Sequence, residues 1–135
     1  MNLEKSYRSI FSLNKIAVVG MSANADRSSH QIGFYLKKQG YNIYPVNPTY
    51  NKIDELKCFS NLNEIKDSID IVNVFRHPDH VMSIVNDSIK INPKVIWFQD
   101  GVINYEAIEL ANKNGIQTIV DDCIYRRHKV FINKT

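Results

Sequence analysis

The segment Val18-Val19-Gly20-Met21-Ser22-Ala23-Asn24-Ala25-Asp26-Arg27-Ser28-Ser29 concentrates residue types that hold an anion largely through backbone groups. Gly20 permits a sharp exit from an extended run, and Ser22 stands where a dinucleotide fingerprint often has its second glycine. A helix beginning just beyond them offers unpaired amides to a negative charge. Arg27 adds a permanent positive charge and a two-pronged donor suited to phosphate, and Ser29 adds a hydroxyl. Together these describe a pyrophosphate cradle. Glycine and serine after a strand are also generic turn chemistry, and a loop arginine is also an ordinary solvated charge, so the segment alone leaves both readings open.

Which nucleotide such a cradle would hold can be asked where the next extended run ends, at Pro45-Val46-Asn47-Pro48. Dinucleotide-binding domains place a carboxylate there to accept hydrogen bonds from a ribose. No Asp or Glu is present. This counts against NAD and leaves room for a phosphorylated ribose, although Asn47-Pro48 by itself also reads as a turn.

Other chemistry is poorly represented. Cys58 and Cys123 form no CxxC pair, and His30, His77, His80 and His128 make no zinc-like spacing with them, so a structural metal is not expected. Cys123 beside Asp121 and Asp122 reads as a strand-end residue, and His77 after Arg76 as a helix-entry residue. No Ser, His and Asp combination or carboxylate pair falls at useful spacing.

The elements that must position the cradle alternate along the chain. Strand-length apolar runs occur at Lys15 to Gly20, Asn42 to Val46, Asp70 to Phe75, Lys94 to Phe98 and Gln117 to Val120, with a further short strand near Lys57 to Phe59. Runs such as Ile16-Ala17-Val18-Val19 are apolar on both faces, as a parallel sheet covered by helices on both sides requires. Between them, Ser28 with Gln31 reads as a capping box opening a helix that Gly40 ends. Gly33 inside it costs about 1 kcal/mol against alanine, which a close approach of helix to sheet would explain. Pro78 opens a second helix, and Asn104 caps a third that stops at Asn114-Gly115. The expectation is a Rossmann-like, doubly wound, mostly parallel sheet of five or six strands in three αβα layers. Pro45 cannot donate to a ladder, so regular pairing of its run is expected to end near Tyr44.

Composition sets the wider limits. At 135 residues, 44% hydrophobic and 23% charged, one globular domain spanning residues 1–135 is expected. A net charge of +3 falls short of a nucleic-acid footprint. The dense basic run Arg126, Arg127, His128 and Lys129 reads as a solvated tail or, less simply, as a ligand or partner contact. Met1 to Ile10 lack the apolar core of a signal peptide and no apolar run nears a membrane span, so a cytoplasmic location is expected.

With these residues in hand, the sequence resembles the small stand-alone CoA-binding proteins, relatives of the CoA-binding domain of the succinyl-CoA synthetase alpha subunit. The stretches that carry the resemblance are IAVVGMSANADRSSHQIGFYLKKQGYNIYPVNP, IDIVNVFRHP, VIWFQDGVINYEAIELANKNGI and VDDCI, in that order. The resemblance implies a Rossmann-like fold that binds coenzyme A, with the diphosphate near Gly20, Ser22, Arg27 and Ser29. It places adenine and ribose near Val46, Asn47 and Pro48, and the turn of Phe75, Arg76, His77 and Pro78 over the pantetheine side. Gln99 and Gly101 would also line the cleft. The chain departs from the family pattern at Glu55, where glycine is usual, and at Asp122, where arginine is usual before the late cysteine.

The expected role is a non-catalytic module that binds or senses coenzyme A or an acyl-CoA. The alternatives are an NAD(P)- or acyl-CoA-dependent enzyme using the same cleft, and a regulatory domain with a vestigial site. A synthetase of the related kind works through a phosphorylated histidine in a second domain, for which this length leaves no room, so a complete acyl-CoA synthetase is not expected. Neither nucleic acid nor membrane is an expected partner, and self-association or a protein partner is left open.

Overall fold

The computed structural model describes residues 3–133. In chain order the elements are α1 (Leu3–Phe11), β1 (Lys15–Val19), α2 (Ser28–Lys38), β2 (Asn42–Val46), β3 (Lys52–Ile53), β4 (Leu56–Lys57), β5 (Ile71–Val74), α3 (Val81–Ile91), β6 (Val95–Phe98), α4 (Tyr105–Lys113), β7 (Gln117–Ile119) and α5 (Ile124–Asn133). Five strands form one sheet in the order β2-β1-β5-β6-β7, parallel at every pairing. This is the Rossmann-like α/β fold expected from the apolar runs.

Alternation along each strand divides the interior into two cores. Ile16, Val18, Ile71, Val95 and Trp97 face the layer of α1, α2 and α5. Ala17, Val19, Val72, Val74, Ile96 and Phe98 face the layer of α3 and α4. Both faces are covered, which is why these strands read as continuous apolar runs. The exception is Asn73 on β5, which is fully buried with neither amide atom hydrogen-bonded among the described residues. Such an orphan costs roughly 1–3 kcal/mol, which the surrounding packing must absorb.

Several expectations need correction. Pairing does not stop at Tyr44: β2 continues through Val46, with Pro45 opposite Val18. It can do so because β2 is an edge strand and the Pro45 backbone faces outward, where its carbonyl accepts from the Phe59 amide. The capping box is absent. Arg27 occupies the N-cap without a side-chain cap bond, and Gln31 Nε2 donates to the Ala25 carbonyl at 3.0 Å, bracing the preceding loop. The short strand lies at Leu56–Lys57 in a hairpin with β3, while Phe59 makes an isolated parallel bridge to Val46. Glu55, on the turn of that hairpin, pairs with Lys37 at 3.2 Å.

Two helices were not anticipated. Residues 3–11 form α1, and the basic run lies within α5 rather than in a tail. His128 of that run is 3% exposed, its Nδ1 2.6 Å from Tyr35 Oη, with Phe11, Tyr41 and Phe131 around the ring. Burial, with Lys129 adding to it, holds its pKa below the ordinary 6.5. Folding therefore favours the neutral form of His128, and the unfolded chain takes up a proton more readily as pH falls. Its stabilising contribution is complete above the unfolded pKa and is lost as pH falls below it. Urea midpoints are expected to drop from about pH 7.5 to about pH 5.5, above the range where ordinary carboxylates titrate. His128→Phe is expected to flatten that slope; an unchanged slope would assign it to other groups.

Candidate functional site

The order of strands puts β1 and β5 side by side, although the chain leaves them in opposite directions across the sheet. Ligands in open α/β sheets settle at such a switch point, outside the carboxyl ends of the strands. The two exits lock together here. Gly20 donates its amide to the Val46 carbonyl at 2.8 Å, and Phe75 donates to Val19 at 2.8 Å. Gly20 has φ +89°, and a Cβ built on it would lie 2.5 Å from the Phe75 carbonyl oxygen. Glycine is the residue that both this conformation and this contact allow.

The loop from Gly20 to α2 is held by its own polar groups. The Ser22 amide donates to Ser29 Oγ at 3.0 Å, and His30 Nδ1 donates to the Ser22 carbonyl at 2.9 Å. Ser22 Oγ accepts from Asn24, whose Oδ1 accepts from Asp26. Asn47 Nδ2 donates to the Met21 carbonyl and Asn47 Oδ1 accepts from Thr49, both at 3.0 Å. Asn47 and the Ser29 hydroxyl thus brace the loop from below. The Met21 side chain drops onto α2, where a Cβ on Gly33 would meet its Cε at 2.6 Å. The reason for glycine at 33 is therefore this side chain rather than a close approach to sheet backbone.

Above the loop lies an open cleft of about 630 Å³, lined by Gly20, Ser22, Asp26, Arg27, Ser28, Ser29, Asn47, Tyr50, Phe75, Arg76, His77 and His80. A second compartment of about 220 Å³ shares Gly20, Arg76 and His80 with it and is walled by Val46, Pro48, Leu62, Ile84, Ser83 and Asp87 among others. The α2 N-terminus opens on the cleft without a side-chain cap, so its first amides and two guanidinium groups, Arg27 and Arg76, border one space. That donor set suits a diphosphate. His77 and His80 stand on the exposed rim, with the Asp79 amide donating to His77 Nδ1 at 3.2 Å.

Of the residues singled out from the sequence, Gly20, Ser22, Arg27, Ser29, Asn47, Phe75, Arg76 and His77 come together in the cleft, and Val46 and Pro48 in the smaller compartment. Pro78 turns its carbonyl to Asn104 Nδ2 at 3.4 Å. Gln99 and Gly101 are engaged elsewhere: Gln99 is buried with Oε1 accepting from the Ile124 amide, and the Gly101 amide donates to Asp121. The sequence reading missed Asp26, Ser28, Tyr50 and His80 in the cleft and the α3 wall of the smaller compartment. The spacing of His80, Ile84 and Asp87 along one helix face was the available signal.

Asp122 lies away from the cleft lining and is buried. Its carboxylate accepts from Arg127, Tyr7 and Arg126 at 2.6, 2.7 and 2.9 Å. Burial works against its charge, but the hydrogen bonds from Tyr7, Arg127 and the Cys123 amide outweigh it and hold the pKa below the ordinary carboxylate value. Arg126 and Arg127 are committed to this network.

Comparison with known proteins identifies the family and the fold. Residues 14–129 match the family described as a CoA binding domain. An uncharacterized protein of Bacillus subtilis (strain 168), YneT, is 39% identical over 116 residues, covering 86% of each chain. A stretch of 66 residues is 38% identical to an ADP-forming acetate–CoA ligase of Archaeoglobus fulgidus, spanning 47% of this chain but 10% of the ligase. Among solved structures, a hypothetical protein from Pyrococcus horikoshii OT3 superposes with a TM-score of 0.93 at 34% identity, over 96% of this chain and 92% of that one. The family match over residues 14–129, together with a 39% identical relative covered over 86% of its length, leads to one conclusion: this chain belongs to the CoA-binding domain family.

Proposed function

We propose that the protein binds coenzyme A or an acyl-CoA as a non-catalytic carrier or sensor, with the diphosphate at the α2 N-terminus. The observation that carries this reading is the uncapped start of α2 between Arg27 and Arg76, next to a β2 end that supplies Asn47 in place of a carboxylate. When bound, coenzyme A supplies a thiol that carries acyl groups. The chain's own residues provide attraction and position. Arg27 and Arg76 neutralise phosphate charge, the braced loop keeps the amides aimed, and the smaller compartment by Val46 and Pro48 receives the nucleoside.

The test is titration calorimetry and thermal shift with coenzyme A, dephospho-CoA, NAD and NADP. A ligand at about 100 times its Kd stabilises the folded state by about 2.7 kcal/mol, enough to raise Tm by several degrees. Coenzyme A is expected to do this and NAD to do much less, and Arg27→Ala is expected to weaken coenzyme A by about 1.5–3 kcal/mol without changing the fold. Strong stabilisation by NAD with none by coenzyme A would replace this reading with a dehydrogenase-like one. No shift with any of the four would indicate a vestigial site.

A further inference from the structure

The smaller compartment has a wall whose spacing acts as a ruler. His80, which borders both compartments, precedes the first residue of α3, and Ser83, Ile84 and Asp87 follow on the same side. At 1.5 Å per residue, Asp87 stands about 10 Å along the helix from His80. With phosphate at the His80 end, that is the reach from a 5′-diphosphate across a ribose to the far edge of a purine. Between the two ends Val46, Leu62 and Ile84 form an apolar floor, the first two buried and Ile84 9% exposed, with Ser60, Asn61 and Ser83 at its margin. Such a surface suits the faces of a flat ring, while Asp87 waits at its edge.

We infer that Asp87 reads the base, accepting a hydrogen bond from the exocyclic amine of adenine and making the site selective for adenine nucleotides. This rests on the coenzyme A reading and adds a specificity determinant to it. An aspartate side chain in its charged form accepts and cannot donate. Adenine offers an amine at this edge, whereas a keto purine offers an oxygen that would face the carboxylate unpaired, so attraction and rejection act together. Asn63 Nδ2 donates to Asp87 Oδ1 at 3.3 Å, which fixes the carboxylate while leaving it further lone pairs. Asp87 is partly exposed, near the middle of a helix that buries other residues, so its replacement leaves the core intact.

The experiment measures coenzyme A and 1,N6-etheno-coenzyme A, in which the amine is closed into a ring, against the wild type and Asp87→Ala. The wild type is expected to prefer coenzyme A by about tenfold or more. In Asp87→Ala, coenzyme A is expected to weaken by about that factor while etheno-coenzyme A is unchanged, so the preference disappears. Equal weakening of both ligands would mean that Asp87 serves the ribose or the pocket in general, and would overturn the inference. So would a preference lost because etheno-coenzyme A binds more tightly, which would indicate steric exclusion. Failure of the wild type to bind either ligand would bring down the coenzyme A reading and this inference with it, whereas binding of both without an Asp87 effect removes the inference alone.

Discussion

Gly20→Ala is expected to lower the urea unfolding free energy by about 2–4 kcal/mol and to remove ligand binding in whatever fraction stays folded. Two costs combine. A side chain at φ +89° is strained wherever it sits, and the new methyl would lie 2.5 Å from the Phe75 carbonyl oxygen and 2.9 Å from Arg76 Cδ. The carbonyl is backbone and cannot swing aside, so the β1 and β5 exits must part. Their separation displaces the loop above Gly20 and Arg76 together, two parts of the cleft lining. Gly33→Ala is the matched control. Its clash is with the flexible end of Met21, and the substitution gains helix propensity of about 1 kcal/mol, so its net effect should be small. If Gly20→Ala unfolds no more easily than Gly33→Ala, the locked exits are not what holds the site together.

How far the sequence reveals this arrangement depends on what each signal reports. The sheet strands were legible to within about a residue at most ends because burial on both faces leaves no polar residue to blur them; Asn73 is the exception and the apolar run around it was enough. Asn104 was legible as a cap because its side chain does what the pattern says, accepting from Ala107 at 3.1 Å. The α5 helix was not legible. Its buried positions, Ile124 and His128 with Phe131 packed beside them, follow helical spacing, but Arg126, Arg127 and Lys129 interrupt them and read as a solvated run. The lining of the candidate cleft was legible where it lies at a strand end, and Gln99, engaged elsewhere, shows the limit of that rule. Every strand of a parallel sheet ends in a loop at the same edge, and strand order, which sequence does not reveal, decides which loops face each other across the switch point. Asp87 was missed for the opposite reason, since it stands two helical turns from any strand end.

Asp122 ties α1 and α5 together through one buried carboxylate. Its carboxylate takes hydrogen bonds from Tyr7 on α1 and from Arg126 and Arg127 on α5, its backbone carbonyl accepts from Trp97 Nε1 at 2.9 Å, and Arg127 also stacks over the Tyr7 ring at 5.2 Å. The same contacts act on the partners: burial first, then the bond to Asp122, pushes the Tyr7 hydroxyl up to about 12. Removing one member of a buried charge network costs about 3–5 kcal/mol, but Arg126 and Arg127 keep 54% and 40% of their side chains in water and can be rehydrated. Asp122→Ala is therefore expected to cost about 3 kcal/mol, the lower end of that range. The loss should be concentrated in α1 and α5, visible as faster amide exchange there and as a change in Trp97 fluorescence. Because the folded pKa lies below the ordinary 3.8, the wild-type contribution is present above that pH and lost as pH falls through the folded value. The variant should accordingly lose less stability in acid than the wild type. Arg127→Ala, which leaves Arg126 on the carboxylate, should cost less than Asp122→Ala. A cost within about 0.5 kcal/mol for Asp122→Ala would place it among ordinary surface pairs and would assign the docking of α1 and α5 to the packing of Ile10, Phe11, Ile124 and His128 instead.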